Sequence, residues 1–416
     1  MLRLAKRIAP VAAIVAMLAA TVTPGLAARS HFGNKFSLSV YTHMGPGAET
    51  TMIQRLANQW AAQNGGTVKV FYDTGSFQDF IQLVHSSKAP DVMFGEPDDA
   101  FGNIQAAGVL APVPNGLFKS DDFLKAAWDS VMFGGVEYGV PLMMDNVAFV
   151  YNKKLVPHPP KTWDQLIAIA KKFPNTKDKT FGFLTGVTNG DFYFDYALFS
   201  GSGSYVFKQT SSGLDINDIG LGNAGAVKAL TLIKSLVDQK LVPPSTNYSV
   251  AQGLFQKGKV GMFIDGTWDV GANRAALGKN FGAAPWPTLP GGGHPRPFAG
   301  VFDAFVNPNS PYKDIAYKFL QYMVPALQIP DLQTAGRIPA LKVAAKDPAI
   351  AKDPVSAAYA ASSAAGDLLP AVPAMSAVWT PAGNAIANVV AGKETPQQAA
   401  AAMLTQIKQG IAQQGH

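Results

Sequence analysis

Acidic and aromatic residues collect near the ends of predicted strands and helices. Three acids follow the predicted strand 90–94, and the others lie near further element ends; the full set is Glu96, Asp98, Asp99, Asp145, Asp191, Tyr193, Asp195, Trp268 and Trp379. Carboxylates accept hydrogen bonds from hydroxyl groups, and flat aromatic faces pack against the C–H faces of sugar rings. In open α/β sheets, ligands bind outside the carboxyl ends of the strands. Acids and aromatic residues at these element ends are therefore better placed to contact a ligand than those elsewhere in the chain.

Acidic and aromatic residues can also serve the fold itself, by capping helices or by packing in the core. Asp98 and Asp99 could cap a helix as well as contact a ligand. Tyr193 lies in an aromatic cluster, an arrangement that also suits a core. Trp60 and Trp128 lie on apolar helical stripes, so we predict that they belong to the core. The tryptophans of the candidate set lie beside a glycine turn or among small residues, which favours a binding site.

The composition excludes several kinds of site. The chain has no cysteine, which rules out disulfides, thiol nucleophiles, cysteine-ligated metals and a lipid-carrying cysteine. None of the six histidines has the spacing of a metal-binding helix, and no glycine-rich phosphate loop follows a predicted strand. We therefore expect no cofactor and no protein metal site. The net positive charge is small and is not clustered, so nucleic acid is not expected as a partner.

Residues 1–27 have the pattern of a secretory signal peptide. Arg3, Lys6 and Arg7 precede an apolar run over 8–20, and small residues follow it. The run is too short to span a bilayer, which needs about 20 apolar residues. We therefore predict a protein that is exported to the periplasm or the cell exterior, begins near Ala28 and is not embedded in a membrane after the signal is removed.

The candidate residues must be positioned by alternating strands and helices. Strands are predicted at 36–41, 68–72 and 90–94, with apolar-striped helices between them. This order predicts a parallel sheet with helices on both faces. Ser249 and Gln252 have the spacing of a capping box that opens a later helix. A chain of 416 residues is too long for one ordinary core, so two lobes are expected.

The stretch 136–166 is the most informative part of the chain. Gly134 and Gly135 predict a hairpin, and Pro141 is expected to end its second strand because proline cannot donate to a ladder. A new strand is expected over 147–151. Asp145 lies between the two apolar runs, where an acid must be solvated in a cleft or paired, because burying it alone is too costly.

Six short segments of the chain resemble one known family. They are YNKKLVP at 151–157 with PPKTWD at 159–164, DIGLGNAG at 218–225, YSVAQ at 248–252 with GTW at 266–268, and MSAVW at 375–379. These motifs resemble the maltose/maltodextrin-binding proteins of bacterial ABC importers, which belong to extracellular solute-binding protein family 1. The resemblance runs through nearly the whole predicted mature chain.

The resemblance implies a type II periplasmic-binding-protein-like α/β fold with two lobes joined by a three-segment hinge. The implied boundaries are 28–144 plus 304–350 for the N-lobe, 148–298 plus 353–416 for the C-lobe, and crossings near 143–147, 298–304 and 348–355. It implies a non-enzymatic monomer that holds maltose, maltodextrin or a related sugar between its lobes. The closed form is expected to dock on the permease subunits of an ABC importer.

The resemblance also implies roles for individual residues. The ligand-binding set carried over by motif or aligned position is Glu96, Asp99, Asp145, Asp191, Tyr193, Tyr248, Trp268 and Trp379. The chain departs from the family at some of these positions. Ala100 and Gly383 replace arginines, Glu96 stands where a stacking tryptophan is common, and Asp145 replaces a glutamate. These changes remove two positively charged side chains and one aromatic ring that could stack on a sugar. A sugar ligand is still expected.

Two other functions remain open from the residues. A secreted carbohydrate-active enzyme would use two cleft carboxyls about 5 to 9 Å apart, and no sequence feature isolates such a pair. A receptor for peptide, polyamine or ferric ion would need a different ligand shell, and Tyr193 and Tyr196 are not the adjacent tyrosines that an iron site would use.

Overall fold

The computed structural model describes residues 35–173, 180–188, 191–211 and 213–414. The predicted signal peptide over 1–27 lies outside the described residues. None of the helices in these ranges combines the length and the apolarity that crossing a bilayer requires. The strands are β1 Ser37–Thr42, β2 Thr67–Tyr72, β3 Val92–Pro97, β4 Met132–Phe133, β5 Val136–Glu137, β6 Val140–Asn152, β7 Phe181–Leu184, β8 Phe207–Thr210, β9 Gly213–Ile219, β10 Val260–Gly266, β11 Phe281–Ala284, β12 Phe298–Val306, β13 Ile338–Pro339 and β14 Asp367–Leu368.

Helices alternate with these strands and dominate the last third of the chain. Those of the described residues are α1 Ala48–Asn64, α2 Phe77–Leu83, α3 Asp98–Ala106, α4 Lys125–Ser130, α5 Trp163–Ala170, α6 Phe192–Gly201, α7 Ala224–Asp238, α8 Tyr248–Gln256, α9 Val270–Leu277, α10 Lys313–Thr334, α11 Lys342–Ala345, α12 Pro348–Lys352, α13 Pro354–Ala365, α14 Trp379–Val390 and α15 Pro396–Gln413. In α1, the buried residues Met52, Ile53, Leu56 and Trp60 recur at helical spacing and form the face that packs on the core.

The first strands form the predicted parallel sheet. β1 pairs in parallel with β2 and with β3, so that Val40 lies beside both Val70 and Val92. The sheet is nevertheless mixed, because β12 lies antiparallel between β3 and β6. The alternation of apolar residues specifies which face of a strand is buried, but it does not specify the direction of a partner that comes from much later in the chain.

Strand β6 is shared by two groups of strands. From Val140 to Asn146 it pairs with β12 and β13, and from Val147 to Asn152 it pairs with β10 and β11. β10 continues in parallel to β7. The strands therefore divide into two groups on either side of β6, which is the architecture of a two-lobe α/β fold.

The predicted strand break at Pro141 is wrong. β6 continues through Pro141 and through Asp145 to its end at Asn152. The register between β6 and β12 shifts between Phe302 and Asp303, and Asp303 is the residue that pairs with Pro141. A bulge tolerates proline because the ladder of hydrogen bonds is already interrupted there.

The hairpin and core predictions from local signals are confirmed. Gly134 and Gly135 join the antiparallel strands β4 and β5 with φ angles of 59° and 79°, a combination that favours glycine at both positions. Trp60 is 4% exposed, and its ring centroid lies 5.3 Å from that of Phe319. Trp128 is partly buried and packs against the core.

Candidate ligand-binding cleft

Five of the eight predicted ligand residues line one cavity of about 290 Å³; they are Asp99, Asp145, Tyr193, Trp268 and Trp379. The rest of the lining is Pro97, Asp98, Phe194, Gly300, Val301, Phe302 and Leu369. Two larger cavities of about 700 Å³ each contain none of the predicted ligand residues. The smaller cavity is the better candidate because, of these three, it alone is lined by tryptophan and tyrosine rings together with acids.

Element ends bring the cavity residues together. Asp99 lies in the first turn of α3, directly after β3, and Trp268 follows the carboxyl end of β10. Tyr193 lies in the first turn of α6, and Trp379 is the first residue of α14. Asp145 differs, because it lies inside β6 at the point where the pairing of that strand changes. Four of the five residues therefore follow the expectation that sites form where strands end and helices begin.

Aromatic rings form one wall of the cavity. The ring centroid of Tyr193 lies 6.1 Å from that of Trp268, 6.4 Å from that of Trp379 and 5.7 Å from that of Phe298. The planes of each pair are tilted by 32° to 48°, so these rings do not stack flat on one another. Trp268 and Trp379 are both half-buried. Their faces can therefore pack against a ligand ring without first separating from a stacked neighbour.

Asp98 and Asp99 place two chemically different carboxyl groups in the cavity. Burial raises the pKa of Asp99 to about 6, although backbone N–H groups and the Trp379 indole N–H, 3.3 Å from Oδ2, oppose that rise. Burial, and then the charges of Asp99, Asp303 and Asp145, raise the pKa of Asp98 well above its usual range. At neutral pH Asp99 is therefore mainly a charged acceptor, whereas its surroundings favour the protonated form of Asp98.

Asp145 is held by two donors from different parts of the chain. Its Oδ1 accepts a hydrogen bond from the Tyr193 hydroxyl at 3.3 Å, and its Oδ2 accepts one from Arg337 Nη1 at 3.2 Å. Arg337 was not predicted as a functional residue. The available signal was one arginine in an otherwise apolar segment next to the Gly336 turn, but the sequence does not reveal which acid such a residue meets.

Two predicted ligand acids lie outside the cavity and bond to protein donors. Glu96 Oε2 lies 2.7 Å from His43 Nδ1. Asp191 Oδ2 accepts hydrogen bonds from the backbone N–H and the hydroxyl of Thr188, at 2.9 and 2.7 Å, and Oδ1 accepts one from the Tyr248 backbone N–H at 3.2 Å. Direct ligand contact by Glu96 and Asp191 therefore stays a prediction.

Asp195 also lies away from the cavity. Its Oδ1 accepts a hydrogen bond from the Thr185 hydroxyl at 2.8 Å. Burial raises the pKa of Asp195 well above its usual range, which disfavours the charged form of this carboxyl. This residue belongs to the core of its strand group.

Tyr248 lies behind the cavity, where it supports Trp268. Helix α8 begins at Tyr248 because Asn247, and not the predicted Ser249, is its N-cap and accepts a hydrogen bond from the Val250 N–H. The Tyr248 ring stacks on Phe194 with 4.1 Å between centroids, and its hydroxyl accepts a hydrogen bond from Trp268 Nε1 at 3.0 Å. That bond fixes the plane of an indole that lines the cavity.

Two acids share the Tyr248 hydroxyl. It lies 2.6 Å from Asp265 Oδ1 and also contacts Asp269 Oδ2. Burial and the charge of Asp269 raise the pKa of Asp265 well above its usual range. The Tyr248 hydroxyl has one hydrogen to donate, so it can donate to only one of these two carboxyl groups at a time.

Replacing Tyr248 with phenylalanine is expected to destabilise the protein by about 1–3 kcal/mol, because two buried acids and one indole N–H lose their partner. Affinity for the expected sugar ligand should fall several-fold as the Trp268 ring loses its fixed orientation. Urea unfolding and calorimetric titration measure the two effects. As a control, Tyr205→Phe removes a hydroxyl bonded to Asp218, which is 37% exposed, and should change stability by less than about 0.5 kcal/mol. Equal stability of the two variants would contradict the proposed support role.

His43 lies between Glu96 and Asp73, with Nε2 3.4 Å from Asp73 Oδ2. Burial lowers the pKa of His43, but the bond to Glu96 and the charges of Glu96 and Asp73 raise it to a net value above 6.5. Protonated His43 therefore stabilises the fold fully below pH 6.5, and this contribution is lost as the pH rises through the folded pKa.

We expect His43→Gln to remove part of the pH dependence of stability. The wild-type free energy of unfolding should decrease as the pH rises above 6.5, and the variant should show a smaller decrease. Urea unfolding across this pH range measures both slopes, and His158→Gln at an exposed position serves as the control. A variant slope equal to the wild-type slope would show that His43 is not linked to folding.

The described ranges contain no group of three or more histidine, aspartate or glutamate side chains arranged to hold a metal ion. The cavity offers carboxyl groups and aromatic faces. This lining suits a neutral polyhydroxyl ligand.

The chain matches one family and has similar relatives along most of its length. The model of the bacterial extracellular solute-binding proteins matches residues 55–358. A maltooligosaccharide ABC transporter solute-binding lipoprotein of Streptococcus pneumoniae is 32% identical over 390 residues, which cover 90% of this chain and 89% of that protein.

Two solved structures resemble the fold described above. One is the maltose-maltodextrin binding protein of Alicyclobacillus acidocaldarius, and the other is the Thermus thermophilus maltotriose binding protein bound with maltotriose. Each is 34% identical to this chain, covers 90% of it and 100% of its own chain, and has a TM-score of 0.81. Because the family model matches most of the chain and the Streptococcus pneumoniae relative is similar along 90% of it, this chain belongs to the bacterial extracellular solute-binding proteins.

Proposed function

We propose that this protein is an extracytoplasmic sugar-binding receptor that delivers maltodextrin or a related oligosaccharide to an ABC importer. The observation that carries the proposal is the cavity in which acids and tryptophan faces converge. The similar proteins of Alicyclobacillus acidocaldarius and Thermus thermophilus, which bind maltose-maltodextrin and maltotriose, support the choice of sugar.

We assign direct sugar contacts to the five predicted residues that line the cavity. Asp99 and Asp145 would accept hydrogen bonds from ligand hydroxyls, and Trp268 and Trp379 would pack against the C–H faces of sugar rings. Tyr193 would join the aromatic wall between the two indoles. In this assignment the other three predicted ligand residues act behind the cavity, where they hold elements of its wall.

Lobe closure is the proposed response to the ligand. The proposed boundaries are 28–144 plus 304–350 for one lobe, 148–298 plus 353–416 for the other, and crossings near 143–147, 298–304 and 348–355. The change in the pairing of β6 after Asn146 supports the first crossing. A sugar that contacts both lobes favours the closed arrangement, because its affinity for that arrangement is higher.

One hydrogen bond already spans the proposed lobes. Trp379 Nε1, in the proposed C-lobe, donates to Asp99 Oδ2 in the proposed N-lobe. Tyr193 of the proposed C-lobe also donates to Asp145 at the first crossing. These bonds support a closed arrangement of the two proposed lobes.

The rival function is a secreted carbohydrate-active enzyme that uses cleft carboxylates. The Streptococcus pneumoniae relative is a solute-binding lipoprotein of an ABC transporter, and the two similar solved structures are sugar-binding proteins. These names favour the receptor. We therefore propose a non-enzymatic protein.

A titration of the purified chain with maltotriose tests this function. Saturable binding, with the trisaccharide recovered intact by chromatography, is the expected result, and released maltose or glucose would favour the enzyme. A parallel thermal-shift screen with mono-, di- and oligosaccharides extends the test, since a ligand at 100 times its Kd adds about 2.7 kcal/mol of stability. A panel in which no sugar binds would overturn the proposal.

We further propose export to the periplasm or the cell exterior, a monomeric state and ABC importer permease subunits as partners. The similar Streptococcus pneumoniae protein is a lipoprotein, whereas this chain has no cysteine that could carry a lipid. Terminal sequencing of the exported protein should find a start near Ala28. Light scattering with and without maltotriose should give the mass of one chain.

A further inference from the structure

A buried arginine lies directly behind the cavity, surrounded by three acids. The Arg337 side chain is 3% exposed. Its Nε and Nη2 donate to the two carboxylate oxygens of Glu49 at 2.5 and 3.3 Å, and its Nη1 donates to Asp145 at 3.2 Å. Asp331 Oδ2 lies 3.9 Å from Nε. The acids come from α1, β6 and α10, so one guanidinium ties three elements together.

Asp331 interacts with the arginine differently from the other two acids of this cluster. Burial and the charge of Glu49 raise the pKa of Asp331 well above its usual range, which disfavours the charged form of this acid. The guanidinium donates its hydrogen bonds to the other two acids, Glu49 and Asp145. It also lies 4.1 Å from the centroid of the Phe302 ring, which shields it from water on that side.

Both oxygens of Asp145 have defined surroundings. Oδ2 bonds to Arg337, and Oδ1 bonds to the Tyr193 hydroxyl, which comes from α6 in the other strand group. The backbone of β12 closes a further side, because a Cβ added to Gly300 would lie 2.6 Å from Oδ1. These neighbours fix the orientation of the Asp145 carboxylate. Because Asp145 lines the cavity, the lone pairs that remain on its oxygens can accept a hydrogen bond from a ligand there.

We propose that Arg337 is a positioning residue for sugar recognition, which holds the Asp145 carboxylate charged and aimed so that it can bind Tyr193 and a ligand hydroxyl together. Arg337 itself does not line the cavity, so it acts through Asp145. The proposal rests on the sugar-binding function proposed above and extends it to a residue outside the binding surface.

The groups around Asp145 determine how its pKa would change if the arginine were removed. Burial raises the pKa of Asp145, Arg337 and the Tyr193 hydroxyl lower it, and the charge of Glu49 raises it. Asp98 faces the same cavity and interacts with the charge of Asp145. Removing Arg337 takes away the only cation in this set, so the carboxyl would hold its proton to higher pH and lose its strength as an acceptor.

Calorimetric titration with maltotriose between about pH 5.5 and pH 8 tests the proposal in four variants: R337Q, R337K, D145N and the double variant D145N/R337Q. The R337Q variant should bind about 10-fold more weakly than the wild type near pH 6, which corresponds to the loss of one charge-assisted hydrogen bond, and should recover as the pH rises. The R337K variant keeps the charge and should follow the wild-type pH profile. In the D145N background, R337Q should produce no further pH-dependent loss.

A purely structural arginine would give a different result. R337Q would then weaken binding by the same factor at every pH, and R337K would not restore the wild-type profile; either observation, with the wild type binding maltotriose, overturns this proposal alone. A wild type that binds no sugar overturns the proposed function, and this proposal fails with it.

Carboxyl carbon-13 NMR of the unliganded wild type provides a test that needs no arginine variant to fold. The Asp145 signal is assigned as the one that disappears in D145N. We expect this carboxyl to be ionised at pH 7 in the wild type. A protonated Asp145 at that pH would overturn the proposal, whatever the stability of the variants.

Discussion

Replacing Trp379 with alanine is expected to weaken maltotriose binding about 30-fold. The indole is half-buried and lines the cavity. A sugar ring packed on its face would bury on the order of 80 Å² of apolar surface, which is worth about 2 kcal/mol. Calorimetric titration measures the change directly. Trp268→Ala should have an effect in the same direction, because that indole contributes the second ring face.

Two further variants separate ring packing from general damage. Trp379→Phe keeps a flat ring but loses the N–H that donates to Asp99, so it should recover a large part of the affinity. Trp286→Ala removes a half-buried indole that does not line the cavity and donates to Ser362, so affinity should change by less than about twofold. Unchanged affinity in both Trp379→Ala and Trp268→Ala would contradict the site assignment.

Replacing Arg337 with methionine is expected to destabilise the protein by about 3–5 kcal/mol at neutral pH, because buried Glu49 and Asp145 lose their compensating charge. The freed acids then bind protons more tightly in the folded state than in the unfolded state. The stability deficit should therefore shrink as the pH falls through their raised folded pKa values. Urea unfolding at neutral and mildly acidic pH measures the deficit and its pH dependence.

An exposed ion pair provides the matched control. Arg274 bonds to Asp353, and the two side chains are 46% and 29% exposed. Arg274→Met should cost no more than about 1 kcal/mol, because solvent screens such pairs. If the two methionine variants lose the same free energy of unfolding, the buried cluster does not have the role that its contacts suggest.

Local signals in the sequence predict much of the fold correctly. Gly134 and Gly135 specify their hairpin because a two-residue turn of this kind requires positive φ angles at both positions. Trp60 lies on an apolar stripe and is buried in the core. The parallel pairing of β1 with β2 and β3 follows from the alternation of strands and helices. Each signal lies within a short segment, so no distant partner is needed to interpret it.

The candidate site is only partly predictable in this way. Acids and aromatic residues near element ends are visible in the sequence, and five predicted residues do line one cavity. Whether an acid remains available to a ligand depends on the donors that reach it. Thr188, three residues before Asp191, was a visible sign that the acid is already bonded. The bond between His43 and Glu96 joins residues 53 positions apart, and neither local segment reveals it.

Residue types, their spacing and the family motifs are therefore enough to predict a two-lobe α/β protein, the acids and tryptophans of a sugar site, and Asp145 as an acid that needs a partner. The tertiary structure decides that β6 runs unbroken through Pro141, because a register shift against β12 accommodates the proline. It also decides that the partner of Asp145 is Arg337, 192 positions later in the sequence. A buried charge is satisfied by whichever opposite charge folding brings within about 3 Å, and that choice depends on packing across the whole chain.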